Sequence, residues 1–317
     1  MRKLRNYRVL FLLVCLVLLT ITSLVHVAAQ NQAYRFAVIV HDGTTSFYAP
    51  VINGMNVACE QIGAECQFLG PPNGSDVAAQ VDLIENAINS GINAVILDIP
   101  DENAMQRVVA QAEAAGIGVY FIGTSYPQMS NYGSIGQDFY AAGQTMGSQI
   151  VKYLPDGGKV GIVVCCAGNI PLGQRAQGAT DVLNEAGNFE IVGPVEIGTD
   201  QTEAFGAIEA MYQANPDLKG IFGVDANTEV IGRFIQRNNL QGQIMGGGFD
   251  LVPATLSAIE SGDMQFTIGQ NPFLWGYLSV HQMWLSLEHG IDPSSLDSGA
   301  DVVDASVDIA NLDPLFH

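Results

Sequence analysis

Hydrophobic and polar stretches alternate along the chain with a regular beat. Short apolar runs at 35–40 ("RFAVIV"), 64–69 ("AECQFL"), 94–99 ("AVILDI") and 117–123 ("IGVYFIG") predict strands. The segments at 49–62, 76–91 and 102–116 read as helices between them. After "IGQD" at 135–138 the scheme restarts. It gives strands at 159–164, 190–197, 220–224, 243–248 and 264–270, helices between them, and a last helix over 272–290. The tail "GADVVDASVDIANL" adds an extended piece. Each strand run is continuously apolar rather than alternating, so both faces of its sheet are covered, as in parallel βαβ units. The predicted fold class is α/β, with two doubly wound parallel-sheet lobes in series.

The amino terminus stands outside this pattern. Four basic residues (Arg2, Lys3, Arg5, Arg8) precede 17 uncharged, mostly apolar positions, and "HVAA" follows. That is the order of a secretory signal, with cleavage expected after Ala29; the alternative is an uncleaved membrane anchor. The chain is therefore expected to be exported, to a periplasmic or extracellular location. Composition then changes the picture. The chain has 12 basic and 32 acidic residues; without residues 1–29, eight basic residues remain and the net charge is −24. Such a surface repels nucleic acid, whose binding rests on Lys and Arg, and self-repulsion favours a soluble monomer. Of the four cysteines outside the signal, Cys59 and Cys66 could bridge, and Cys165 and Cys166 are vicinal. For both pairs disulfides and buried thiols stay open, and neither has metal-ligand spacing. No metal or other cofactor is expected.

Candidate chemistry gathers just past the strands, where open α/β sheets bind ligands. The first strand leads into His41, Phe47 and Tyr48, and the fourth into Thr124 and Ser125. In the second half come Asn169 and Arg175, then Asp225, then Phe249 and Asp250, then Gln270. Rings, carboxylates, an arginine and amides on one rim fit a polyol, which needs paired donors and acceptors and flat apolar walls. Structural alternatives accompany each residue. Phe47 and Tyr48 could staple a helix start, although two adjacent side chains are not expected to point inward together. Arg175 could pair with any carboxylate. Asp225, Asp250 and Asp101 could be helix caps, and His41 could bond loop backbone. Trp275 and Trp284 share a helical pattern with Leu278 and Leu285 and are read as core.

Several segments in order, among them "SFYAPVINGMNVACEQIGAE", "IGQDFYAAGQTMG", "QRAQGATDVL", "GGGFD" and "IGQNPFLWGYLSV", carry a further message. Over about residues 34–310 the sequence resembles the ribose- and galactose-type periplasmic sugar-binding proteins, the substrate-binding components of ABC transporters. The resemblance implies two lobes joined by a multi-strand hinge, the type I periplasmic-binding-protein arrangement. The first lobe is then expected at 34–136 plus 271–298, and the second at 137–270 plus 299–317. It further implies ring stacking by Phe47 and Tyr48 and hydrogen bonds from Arg175, Asp225, Asp250 and Gln270. One departure is clear: Gly123 and Thr124 stand where ribose binders carry an Asp-Arg pair, so a hydroxyl clamp is missing and ribose itself is disfavoured.

The expected function is a non-enzymatic receptor that closes on a monosaccharide or related polyol by hinge bending and delivers it to a membrane ABC permease. The alternative is a receptor for a non-sugar signal molecule, in chemotaxis or quorum sensing. A glycosidase could recruit Asp225 and Asp250, but the sequence has no nucleophile elbow, zinc signature or phosphate loop. A gene regulator of similar lobes would carry a DNA-binding module where the signal stands.

Overall fold

The computed structural model describes residues 33–72, 76–99, 102–123, 129, 132–309 and 312. The expected signal, Asp101, Thr124 and Ser125 lie outside the described residues. The chain forms two six-stranded sheets. The first is built from β1 (Arg35–Ile39), β2 (Glu65–Leu69), β3 (Ala94–Leu97), β4 (Gly118–Gly123), β5 (Gly133–Gly136) and the two-residue β11 (Leu296–Asp297). Helices α1 (Ala49–Ile62), α2 (Val77–Asn89) and α3 (Glu102–Ala114) connect its first four strands. The second sheet holds β6 (Gly158–Val164), β7 (Phe189–Glu196), β8 (Leu218–Gly223), β9 (Met245–Phe249), β10 (Phe266–Gly269) and β12 (Asp301–Asp304). Helices α5 (Ile170–Ala186), α6 (Gln201–Ala214), α7 (Glu229–Arg237) and α8 (Pro253–Glu260) connect its strands β6 to β10.

Strand order repeats from sheet to sheet: β2-β1-β3-β4-β5-β11 in one, β7-β6-β8-β9-β10-β12 in the other. All ladders are parallel except β10–β12, which is antiparallel. In each sheet the order reverses once, between β1 and β3 and between β6 and β8. A doubly wound sheet opens a crevice at that reversal, beyond the carboxyl ends of the strands.

Continuous apolar runs work as the sequence predicts. On β1, Phe36 and Val38 enter one buried cluster while Ala37 and Ile39 enter another on the opposite face. The edge strands β2 and β7 alternate between exposed and half-buried positions, since only part of each is covered. Two elements, β5 ("GSIG") and β11, were not predicted. Both are short, β5 is built largely of small residues, and they become strands only by joining the rest of the sheet.

Helix α9 (Pro272–His289) follows β10 of the second sheet but packs on the first, against α1. The contact is backbone to backbone: a Cβ on Gly54 would lie 2.1 Å from the Phe273 carbonyl oxygen, and one on Gly276 2.0 Å from that of Val51. Only glycine permits that approach. Helix α4 (Phe139–Tyr153) runs the other way, following β5 but packing against α5 in the second half. With the β11–β12 link, the chain crosses between the sheets three times. A disulfide joins Cys59 near the end of α1 to Cys66 on β2, whereas Cys165 and Cys166 are free thiols.

Candidate functional site

In the first lobe the rim is built around Asp98, the residue immediately after β3. Its Oδ2 lies 3.1 Å from His41 Nδ1 and accepts a short hydrogen bond from the Tyr48 hydroxyl, which itself lies 3.0 Å from Nδ1. The Asp98 main chain is fixed as well, its carbonyl accepting from Gln80 Nε2 at 2.7 Å and its N–H donating to Ile39. His41 follows β1, so this pair spans the β1/β3 crevice. Burial works against a charged imidazole here, but the Asp98 carboxylate, its hydrogen bond and Asp42 outweigh it and push the His41 pKa up. Gly123 closes the floor: its φ is +92°, and a Cβ would meet Asp98 Oδ1 at 3.2 Å. The absence of a side chain at this position therefore leaves room for the neighbouring carboxylate.

The two rings of the first loop divide their roles. Tyr48 is 2% exposed and packs in the core. Phe47 is half-buried and lies edge-on to Tyr48 at 5.2 Å and to Trp275 at 5.6 Å. Both rings touch the same core cluster, contrary to the expectation that adjacent side chains cannot point inward together. The three-residue helical turn at Ser46–Tyr48 allows this by tightening the backbone where an extended chain would splay them. Trp275 is core, as expected, and its Nε1 donates to Ser298 Oγ in a crossing segment. Trp284 packs partly buried on the same cluster.

In the second lobe the centre is Arg175, 1% exposed. Its guanidinium lies between two phenyl rings, 4.4 Å from the centroid of Phe139 and 3.9 Å from that of Phe249. It donates to the Val224 carbonyl at 2.8 Å and twice to Gln137 Oε1, at 3.1 and 2.6 Å. Burial pulls its pKa down to about 10, with Asp250 and Asp225 opposing. Asp250 sits in the left-handed region at φ +70° and accepts from Gln270 Nε2. Asp225 accepts from two backbone N–H groups, Cys165 at 2.7 Å and Asn227 at 2.9 Å. Burial raises both aspartate pKa values, and the nearby Arg175 charge acts against it in each.

Arg175, Asp225, Phe249, Asp250 and Gln270 thus converge. Phe249 has no exposed surface and supports Arg175 from behind. Asn169 is exposed and caps α5, accepting from the Leu172 N–H at 3.1 Å. Among the described residues, no group of three His, Cys, Asp or Glu side chains could hold a metal.

Sequence reasoning missed two residues. Asp98 was absorbed into the predicted strand 94–99; ending that strand at Leu97 puts Asp98 on the rim by the rule that found the others. Gln137, 3% exposed, lies where the chain leaves β5. Its Nε2 donates to the Gly269 and Gly299 carbonyls in the other two crossing segments, and its Oε1 accepts from Arg175. Nothing but its place in "IGQD", at the restart of the pattern, signals it.

A family model described as a periplasmic binding protein domain matches residues 36–290. A xylose/arabinose-binding protein of Sulfolobus acidocaldarius is 30% identical over 289 residues, covering 86% of this chain and 71% of the relative. A solved ABC-transporter solute-binding protein from Agrobacterium vitis, with bound D-fucose, superposes with a TM-score of 0.78 at 26% identity, covering 86% of this chain and 96% of that one. Another from Burkholderia graminis, with D-arabinose, gives a TM-score of 0.81 at 24% identity, covering 86% and 96%. The chain belongs to the periplasmic binding protein family. Its relatives are solute-binding proteins, and it is a binding protein rather than an enzyme.

Proposed function

We propose that this periplasmic binding protein is the exported receptor of an ABC importer and binds a monosaccharide or related polyol between its two lobes. The observation that carries the reading is the arrangement around Arg175. The buried guanidinium has two phenyl walls, Asp250 and Gln270 stand beside it, and two of its five N–H donors are left unused by protein acceptors among the described residues. Oriented donors and acceptors next to apolar surface suit a ring with hydroxyls on its edge and C–H groups on its faces. Phe47, half-buried at the opposite rim, supplies the stacking face. Thr124 and Ser125 are assigned to the same rim by their place after β4, and His41 by its place after β1. Asn169 shapes the loop that presents α5.

The lobes are assigned as 34–136 plus 271–298 and 137–270 plus 299–317, and residues 1–29 as the export signal. The relative that binds xylose and arabinose points to an aldopentose as the first ligand to try. A thermal-shift panel of pentoses, hexoses and inositols tests the reading. Saturating ligand should raise Tm by several degrees, since ligand that binds only the folded state stabilises it by mass action. A flat response across the whole panel would sink it.

A further inference from the structure

We propose that His41 and Asp98 form the hydroxyl clamp of the first lobe, with Asp98 accepting from one ligand hydroxyl and His41 donating to its neighbour, and that Tyr48 positions the pair. The proposal rests on the polyol reading above and names the chemistry that the first lobe contributes to it.

Its place in the fold is the first argument. His41 follows β1 and Asp98 follows β3, so together they span the point where strand order reverses. The end of β4, where the resemblance places an Asp-Arg pair, holds Gly123 instead, and its missing side chain leaves space against Asp98 Oδ1. The acid and the base are supplied from two different strands.

The second argument is the inventory of atoms. Asp98 Oδ2 is taken by Tyr48 and His41, while Oδ1 has no hydrogen-bond partner among the described residues. His41 uses Nδ1 toward Asp98, and its Nε2 is likewise without a partner among them. The His41 side chain is 38% exposed and that of Asp98 13%. One free acceptor and one free donor on a fixed pair match two adjacent hydroxyls, one donating and one accepting. A purely cationic ligand would satisfy only half of it, and an apolar ligand none.

The third argument is Tyr48. A phenylalanine would fill the same core space. The hydroxyl adds a donor to a carboxylate from a buried position, which orients Asp98. The titratable groups facing His41 are Asp98 from the end of β3, Tyr48 from the turn before α1 and Asp42 on its own loop. The Asp98 and Asp42 carboxylates favour the imidazolium, the form in which Nε2 donates as well as Nδ1.

The test is calorimetric titration of the full chain with D-xylose and L-arabinose from pH 5.5 to 9, alongside NMR titration of the His41 ring in the ligand-free protein. Asp98→Asn should weaken pentose binding about tenfold or more with little change in Tm. Tyr48→Phe should weaken it several-fold and move the His41 midpoint, since Asp98 Oδ2 then serves His41 alone. Wild-type affinity should decline as pH rises through the His41 midpoint, and His41→Gln should flatten that profile. If pentose binds the wild type and weakens in Arg175→Lys, yet Asp98→Asn and His41→Gln bind as tightly as wild type, the clamp is wrong and the polyol reading stands. If neither pentose nor any other polyol binds the folded wild type, the polyol reading fails and the clamp goes with it, whatever the NMR shows.

Discussion

The crevices at β1/β3 and β6/β8 are topological equivalents, and they are filled in opposite ways. In the second lobe, Asp225 reaches across and accepts the Cys165 N–H, then uses its other oxygen on the Asn227 N–H, so both of its oxygens are bonded to backbone. In the first lobe, the Asp98 carboxylate bonds only side chains among the described residues, and does so through Oδ2. The same residue type thus stands past a strand end at each crevice, held once by backbone and once by side chains. A carboxylate past a strand end is read by what its oxygens already hold. Backbone N–H partners tie it to the fold, while side-chain partners tie it to a neighbouring network.

This contrast can be broken or sharpened. The largest effect is expected from Arg175→Ala in the second lobe. It removes the charge that compensates Asp250 and Asp225, and truncating one member of a buried charged set costs about 3–5 kcal/mol. Urea denaturation should show that loss, and calorimetry should show no measurable sugar binding. Next comes Asp225→Ala, which leaves two backbone donors without their acceptor and should cost about 2–4 kcal/mol. Asp98→Asn measured the same way should cost under about 1 kcal/mol; equal losses at the two positions would erase the distinction between the two carboxylates. Replacing Cys59 and Cys66 by serine should cost about 2 kcal/mol, the entropy of closing so short a loop. Hydrogen exchange should place that loss in α1 and β2, with the second lobe unaffected.

The smallest effect is a pH dependence. The folded-state pKa of His41 is raised, so its contribution to stability is full below the unfolded value of about 6.5 and is lost as pH rises through the folded value. Comparing Tm at pH 5.5 and 8.5, wild type should lose more on the alkaline side than His41→Gln.

Much of this was legible in the chain. Inner strands announce themselves because both faces are covered, which turns them into unbroken apolar runs such as "RFAVIV" and "KVGIVV". Helices end at glycines that adopt left-handed conformations, as at Gly63, Gly187 and Gly290. Arg175, Asp250 and Gln270 could be picked out by position, since each stands on or just past an element that ends at the rim. β5 and β11 stayed hidden because their strand character comes from their neighbours. Asp98 was hidden because a residue flanked by "AVIL" and isoleucine looks like more strand. Gln137 was hidden for a deeper reason: its partners lie 38, 132 and 162 positions away, and no local pattern encodes such meetings.

That glutamine has a chemical consequence. One end of its side-chain amide meets a guanidinium and the other meets two carbonyl oxygens from separate crossings. The position demands a neutral dipole pointing one way. Glutamate would please the arginine and repel the carbonyls; lysine would do the reverse; a flipped amide would fail at both ends. Arg175 is therefore joined, through one planar amide, to the segments by which the chain crosses between its two sheets.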